Sequence, residues 1–284
     1  MNHLISTMND ELKKLSIWLY ANKLSLNVSK THFIIFRSIG MRKPVYDKDL
    51  VINDEIVEQQ KKTKFLGVII DEVLSWAPHI NYIKPKIAKG IGIVYKAKRL
   101  LSTETLLTLY YSFIYPYFNY ALEVWGDTYN SYLQPLIRLQ KRAIRTITSS
   151  GRYDHTAPLF KQLKALQLAK IHTYKIALIM FKVWHKMVPK IFASLFVRNR
   201  MTHNYNTRQE LQFRVPYVGR TNYMKRAISC KGATIWNTYC TTLTIDCSFL
   251  SFKKCIKESS RECLIFIENR NIAYKLFISF HLLF

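Results

Sequence analysis

Apolar residues open the chain at helical spacing. Leu4, Ile5, Met8, Leu12, Leu15 and Leu19 fall on one side of a helix predicted over Leu4 to Tyr20, with a polar face opposite. Asn22 to Asn27 breaks that pattern. Three short β-type runs follow, Phe33 to Phe36, Leu50 to Ile52 and Phe65 to Ile70, with Gly40, Pro44 and Asn53-Asp54 supplying turns. Residues 1–75 therefore read as α+β.

After Trp76 the period becomes purely helical. Ile80, Ile83, Ile87, Ile91 and Val94 make one apolar stripe, surrounded by Lys84, Lys86, Lys89, Lys96 and Lys98. A second helix is expected from about Thr103 to Val124, with a kink or break at Pro116. A third, from about Tyr132 to Ile147, carries Leu133, Leu136, Ile137, Ile144 and Ile147 on one side. Further helix is predicted over Ala157 to Leu163 and Leu168 to Lys186. Beyond Lys190 the pattern loosens: Asn204 to Arg208 reads as a loop, Phe213 to Tyr217 as a short extended piece, and Ser251 to Ile267 as a last helix. The expected class is α+β, with short antiparallel strands first and a mostly helical remainder. Four segments are expected: 1–75, 76–150, 151–200 and 201–284.

Charge changes the picture. Lys and Arg number 43 against 18 Asp and Glu, a formal charge of +25. Such an excess repels itself unless a polyanion neutralises it, which points to nucleic acid before a membrane surface. Between Asp127 and Glu210 a single acid, Asp154, faces fifteen Lys and Arg. In the third helix Arg138, Lys141, Arg142 and Arg145 recur opposite the apolar stripe, a face suited to lie along phosphates.

Catalytic constellations are sparse. Asp10-Glu11, Asp54-Glu55 and Asp71-Glu72 are adjacent pairs at the edges of elements and read as ordinary surface acids. Two-metal phosphoryl chemistry needs carboxylates that converge from neighbouring strands. No phosphate-cradling glycine loop, HExxH or GxSxG occurs. The five cysteines (Cys230, Cys240, Cys247, Cys255 and Cys263) are odd in number and lack a CxxC spacing, so neither a disulfide framework nor a zinc site with His281 is expected. Apolar runs such as Ile176 to Phe181 and Leu276 to Phe280 are too short for a membrane span, and no secretory signal follows Met1. An intracellular protein, nuclear or cytoplasmic, is expected.

Several strings, in order, resemble the reverse transcriptases of non-LTR retrotransposons of the jockey-like kind. Asn9-Asp10-Glu11-Leu12, Trp18, Asn22 to Asn27 and Ser29-Lys30-Thr31 resemble the family's motif D. Phe65-Leu66-Gly67-Val68, Asp71 and Trp76 with Pro78-His79-Ile80 resemble motif E running into the thumb. Tyr110, Pro116, Tyr120, Trp125-Gly126 and Leu139 to Arg145 are similar to its thumb and connector. Tyr205 to Arg208 and Gly232 to Asn237 are similar to its C-terminal region.

The resemblance implies a palm remnant over 1–75, a helical thumb over 76–150, a connector over 151–200 and a C-terminal region over 201–284. It places Lys30 at the motif D lysine and Phe65, Leu66 and Gly67 at the primer grip. Nucleic-acid contacts are expected at Arg138, Lys141, Arg142 and Arg145. In the family the metal-binding aspartates lie just upstream of Asn9, so this chain is expected to be a truncated polymerase without them. It should bind RNA, DNA or a hybrid duplex but not polymerise alone. Mg²⁺ belongs to the complete family enzyme, and no cofactor, metal or small-molecule substrate is expected for this chain. Two alternatives stay open: a polymerase subunit completed by a separate palm, and a decayed relic without function.

Overall fold

The computed structural model describes residues 2–41, 47–201, 212–217, 225–239 and 247–262. The chain divides into two compact units, Met1–Lys84 and Pro85–Phe284. The class is α+β, as the hydrophobic pattern predicts.

In the first unit α1 spans Asn2–Ala21. It ends where Lys23 turns left-handed (φ 56°), letting the Leu24 N–H reach back to the Leu19 carbonyl. The strands are short: β1 (His32–Phe33), β2 (Val51–Ile52), β3 (Glu55–Ile56), β4 (Glu58–Gln59), β5 (Lys62–Phe65) and β6 (Val68–Asp71). Hairpins β2–β3 and β5–β6 are antiparallel, whereas β1 pairs with β4 in parallel, His32 opposite Glu58. The all-antiparallel expectation is corrected at that one pair.

The run from Phe65 to Ile70 is also two strands rather than one. Leu66 and Gly67 both have positive φ (44° and 84°) and form the turn between them. Asn53 and Asp54 (φ 51° and 64°) close β2–β3 in the same way. Of Phe33 to Phe36 only Phe33 is in a strand.

The unit's small core is Ile5, Val28, Leu50, Ile52 and Val57, with Leu12, Leu26 and Phe33 packed against it. Of the predicted α1 stripe only Ile5 is buried, and Leu4, Met8 and Leu15 are exposed. Strands of two residues offer too little surface to cover a helix of five turns.

Asp71 and Glu72 are not the surface acids their position suggests. Asp71 is buried, accepting the N–H groups of Ser75 (3.1 Å) and Trp76 (3.0 Å). These bonds hold a link in which Leu74 and Trp76 are left-handed (φ 50° and 62°), and so set the start of α2, Ala77–Ala97. Glu72 pairs with Arg37 at 2.8 Å. His79, on the first turn of α2, accepts the Ile69 N–H on Nδ1 (3.3 Å), tying β6 to the helix.

Helix α2 continues into the second unit. Its stripe of Ile80, Ile83, Ile87, Ile91 and Val94 is at most 3% exposed throughout. The expected break near Pro116 is real. The chain forms α3 (Thr103–Phe113), α4 (Tyr115–Asn119) and α5 (Leu122–Trp125), with Pro116 in the first turn of α4 and a left-handed Ala121 before α5. A β-carbon on Gly90 would fall 2.8 Å from Ile114, so α2 and the end of α3 approach as closely as glycine allows.

There follow α6 (Asn130–Ile147), α7 (Thr156–Gln162), α8 (Leu168–Trp184), α9 (Lys190–Ala193), α10 (Ile228–Tyr239) and α11 (Phe249–Glu262). Helices α8, α10 and α11 share one core that includes Ile176, Met180, Trp184, Ala233, Trp236, Phe252 and Ile256. The loosened pattern beyond Lys190 thus conceals a buried helix. Asn204 to Arg208 and the end of the expected last helix lie outside the described residues. Among the described residues no helix is long and apolar enough to cross a membrane.

Candidate nucleic-acid interface

Among the described helices of the second unit, α6 is the one most sharply divided between an apolar and a basic side. Leu136, Ile144 and Ile147 are buried, and Leu133 and Ile137 are partly so. At 100° per residue these fall on one side, together with Gln140 and Ala143. Both of the latter are also buried.

Gln140 is a polar residue at the centre of an apolar seam, and sequence reasoning missed its role. Its amide nitrogen donates to the Tyr110 hydroxyl (3.1 Å) and the Leu166 carbonyl (3.0 Å), and its oxygen accepts the Leu168 N–H (2.9 Å). One side chain therefore joins α6 to α3, to the α7–α8 link and to the open N-terminus of α8. Burial pushes the Tyr110 hydroxyl far above its ordinary range, so it stays a protonated partner.

On the opposite side Arg138, Lys141 and Arg142 are exposed. Arg145 is half-buried, and its Nε (3.0 Å) and Nη2 (2.8 Å) donate to the Asp154 carbonyl. It pins the turn after α6 rather than pointing freely outward with the other three. The Asp154 carboxylate accepts the Gly151 N–H at 2.6 Å within that turn. The one acid between Asp127 and Glu210 is thus engaged locally, and no charge on α6 itself offsets its basic face.

In the first unit Phe65, Leu66 and Gly67 form the tip of the β5–β6 hairpin, with Phe65 60% and Leu66 74% exposed. Lys64 lies beside the tip, its ammonium 5.2 Å from the Tyr82 ring centroid and 3.3 Å from that hydroxyl. Lys30 ends a short 3-10 turn, Val28–Lys30, and is exposed; its backbone N–H is capped by Asn27 (3.1 Å).

Among the described residues, five carboxylates are already engaged. Asp71 is committed to backbone N–H groups, Glu72 to Arg37, and Asp154 to Gly151. Glu123 pairs with Lys175 (2.9 Å) and Asp127 with Lys231 (3.8 Å). Among the described residues no three His, Cys, Asp or Glu gather where they could hold a metal ion.

Comparison with known proteins gives consistent matches at low identity. The "Probable RNA-directed DNA polymerase from transposon X-element" of Drosophila melanogaster is 24% identical over 160 residues, 55% of this chain and 17% of that protein. The RNA-directed DNA polymerase from mobile element jockey of the same organism is 26% identical over 121 residues, 41% of this chain and 13% of the relative. Its counterpart in Drosophila funebris is 24% identical over 150 residues, 52% and 16% of the two chains. The matches span about a sixth of these relatives' length or less. No family model matches the chain, and no solved structure does. Over about half its length, then, the chain resembles the RNA-directed DNA polymerases of non-LTR retrotransposons.

Proposed function

We propose that this stretch is the part of a retroelement reverse transcriptase that follows the metal-binding carboxylates, and that it grips nucleic acid. The observation that carries this reading is the exposed basic face of α6, set on a helix whose other side is locked into a buried seam. Such a face meets phosphates without reorganising, and neutralising each phosphate releases counterions. The curated relatives are polymerases by name, which gives the grip a primer–template duplex as its natural ligand.

In this reading the β5–β6 tip, with Phe65 and Leu66 presented to solvent, handles the primer end, and Lys30 holds the motif D position. Catalytic metal ions and their carboxylates come from protein outside these 284 residues. The chain by itself binds duplex and leaves a primer unextended.

A salt series tests the binding. Affinity for a DNA or RNA–DNA duplex, followed by fluorescence anisotropy, should fall steeply as salt rises from low to physiological. A flat response would remove the electrostatic basis of the proposal. Primer extension with Mg²⁺ or Mn²⁺ tests the second half, and incorporation by pure protein would overturn it.

A further inference from the structure

Tyr129 and Tyr132 stand at the start of α6. The Tyr129 carbonyl accepts the Tyr132 N–H (2.9 Å), and the two rings meet edge to face, with centroids 5.9 Å apart at 86°. The Arg226 guanidinium, from just before α10, lies 3.5 Å from the Tyr129 ring centroid. Each tyrosine is 37% exposed. The unit's packing aromatics look different: Trp184 and Trp236 are stacked inside the α8–α10 core, with Trp236 fully buried. A pair of half-open rings that keeps its hydroxyls and carries a guanidinium is poorly designed as core.

We infer that Tyr129 and Tyr132, backed by Arg226, form a stacking platform for an unpaired nucleobase at the end of the duplex held by α6. This rests on the nucleic-acid reading proposed above and adds to it the structure of the substrate, a duplex with a single-stranded extension. Stacking suits any base because every base has a π face, and an arginine stacked on one face of Tyr129 backs the ring and adds a cation for the adjoining phosphate. Arg142 is the basic residue of α6 nearest in direction to Tyr132, ten residues on, roughly 15 Å along the helix at about 1.5 Å per residue and about 80° around it at about 100° per residue. Charge favours it too. From Thr128 to Tyr153 there are five Lys and Arg and no acid, and the neighbouring Asp127 is paired with Lys231.

The test uses the full chain and two DNA probes: a blunt duplex, and the same duplex with a short single-stranded extension carrying 2-aminopurine. The wild-type protein should bind the extended probe about tenfold more tightly than the blunt one, with a change in 2-aminopurine emission as the base stacks. Tyr129→Leu with Tyr132→Leu should abolish that preference, so that the two probes bind alike, while Tyr132→Phe, which keeps the ring, should retain it. Equal wild-type affinity for the two probes, with duplex binding still salt-dependent, would overturn the platform and spare the proposed function. Failure to bind either probe would overturn both. Because the wild-type comparison decides by itself, a leucine variant that misfolds does not rescue the idea.

Discussion

The Gln140 side-chain amide donates to the Tyr110 hydroxyl at 3.1 Å in a site where both residues are at most 1% exposed. Gln140 also holds the Leu166 carbonyl and the Leu168 N–H, so its loss orphans three buried groups at once. Replacement by Leu should destabilise the second unit by at least ~3 kcal/mol, given about 1–3 kcal/mol for each buried group left unsatisfied. Tyr110→Phe should cost only about 1 kcal/mol, because Gln140 keeps its two backbone partners. Urea unfolding followed by circular dichroism measures both. Equal costs would mean that the backbone bonds contribute nothing.

Replacing Arg138, Lys141 and Arg142 by Gln keeps helix propensity and removes the three outward charges of α6. If each meets a phosphate, the slope of log affinity against log salt should fall by nearly three units, at about 0.9 per phosphate. Arg145→Gln should behave differently, lowering stability through the lost bonds to Asp154 while changing the slope little. Lys84, Lys89 and Lys96, exposed on α2, are the control for diffuse charge. A matching loss from the control set would dismiss α6 as the site.

Acid should weaken the first unit through His79. Burial holds its imidazole below the ordinary histidine range, and its Nδ1 must stay unprotonated to accept the Ile69 N–H. The unfolded chain therefore takes up the proton first as pH falls. The stabilisation is complete above the unfolded value near ~6.5 and is lost as pH drops through it toward the lower folded value. His172, buried on α8, is shifted in the same direction, by burial foremost. His79→Asn, which keeps an acceptor and cannot titrate, should flatten part of the fall in denaturation midpoint between neutral and mildly acidic pH. Superimposable pH profiles for the two proteins would refute the assignment.

Leu66 sits at φ 44° with its side chain mostly in solvent, so it accepts left-handed strain and buries little in return. Asn tolerates that conformation better, and Leu66→Asn should stabilise the hairpin by roughly 1 kcal/mol. If the exposed leucine is there to meet a primer end, the same change should weaken binding to a primer–template. Gain of stability without any loss of affinity would leave the residue with no role at the tip.

Much of the helical half was legible because helices such as α2 and α6 bury one face. The stripe of α2 is buried at each of its five predicted positions, and Pro116 marks a true break. The α1 stripe was equally regular, yet most of it stays exposed, since periodicity reports an apolar face and not the size of what covers it. Helix α10 escaped because its sequence, with Gly232 and few charges, has little contrast between faces. Gly232 is there for close approach, as a β-carbon would lie 2.7 Å from the Met180 sulfur.

The resemblance strings hold a second layer that no pattern discloses. Asn9 in α1 donates to the Asp49 carbonyl and accepts the Val51 N–H, serving as a substitute strand at the edge of β2. Asn237 in α10 does the same for both backbone groups of Phe213. Asp71 and Gln140 likewise spend their polar atoms on backbone of other segments. In the sequence each of these is one more polar residue.

What the sequence determined alone was the placement of apolar stripes, the turn residues and the charge excess, because each depends on neighbours within a few positions. Only the tertiary structure decided which polar groups are buried and which cations are free. Arg138 and Arg145 are indistinguishable on a helical wheel, yet one faces solvent and the other holds the Asp154 carbonyl. The reason is that a buried polar group must find a partner, and the partners here lie on segments brought together only by folding.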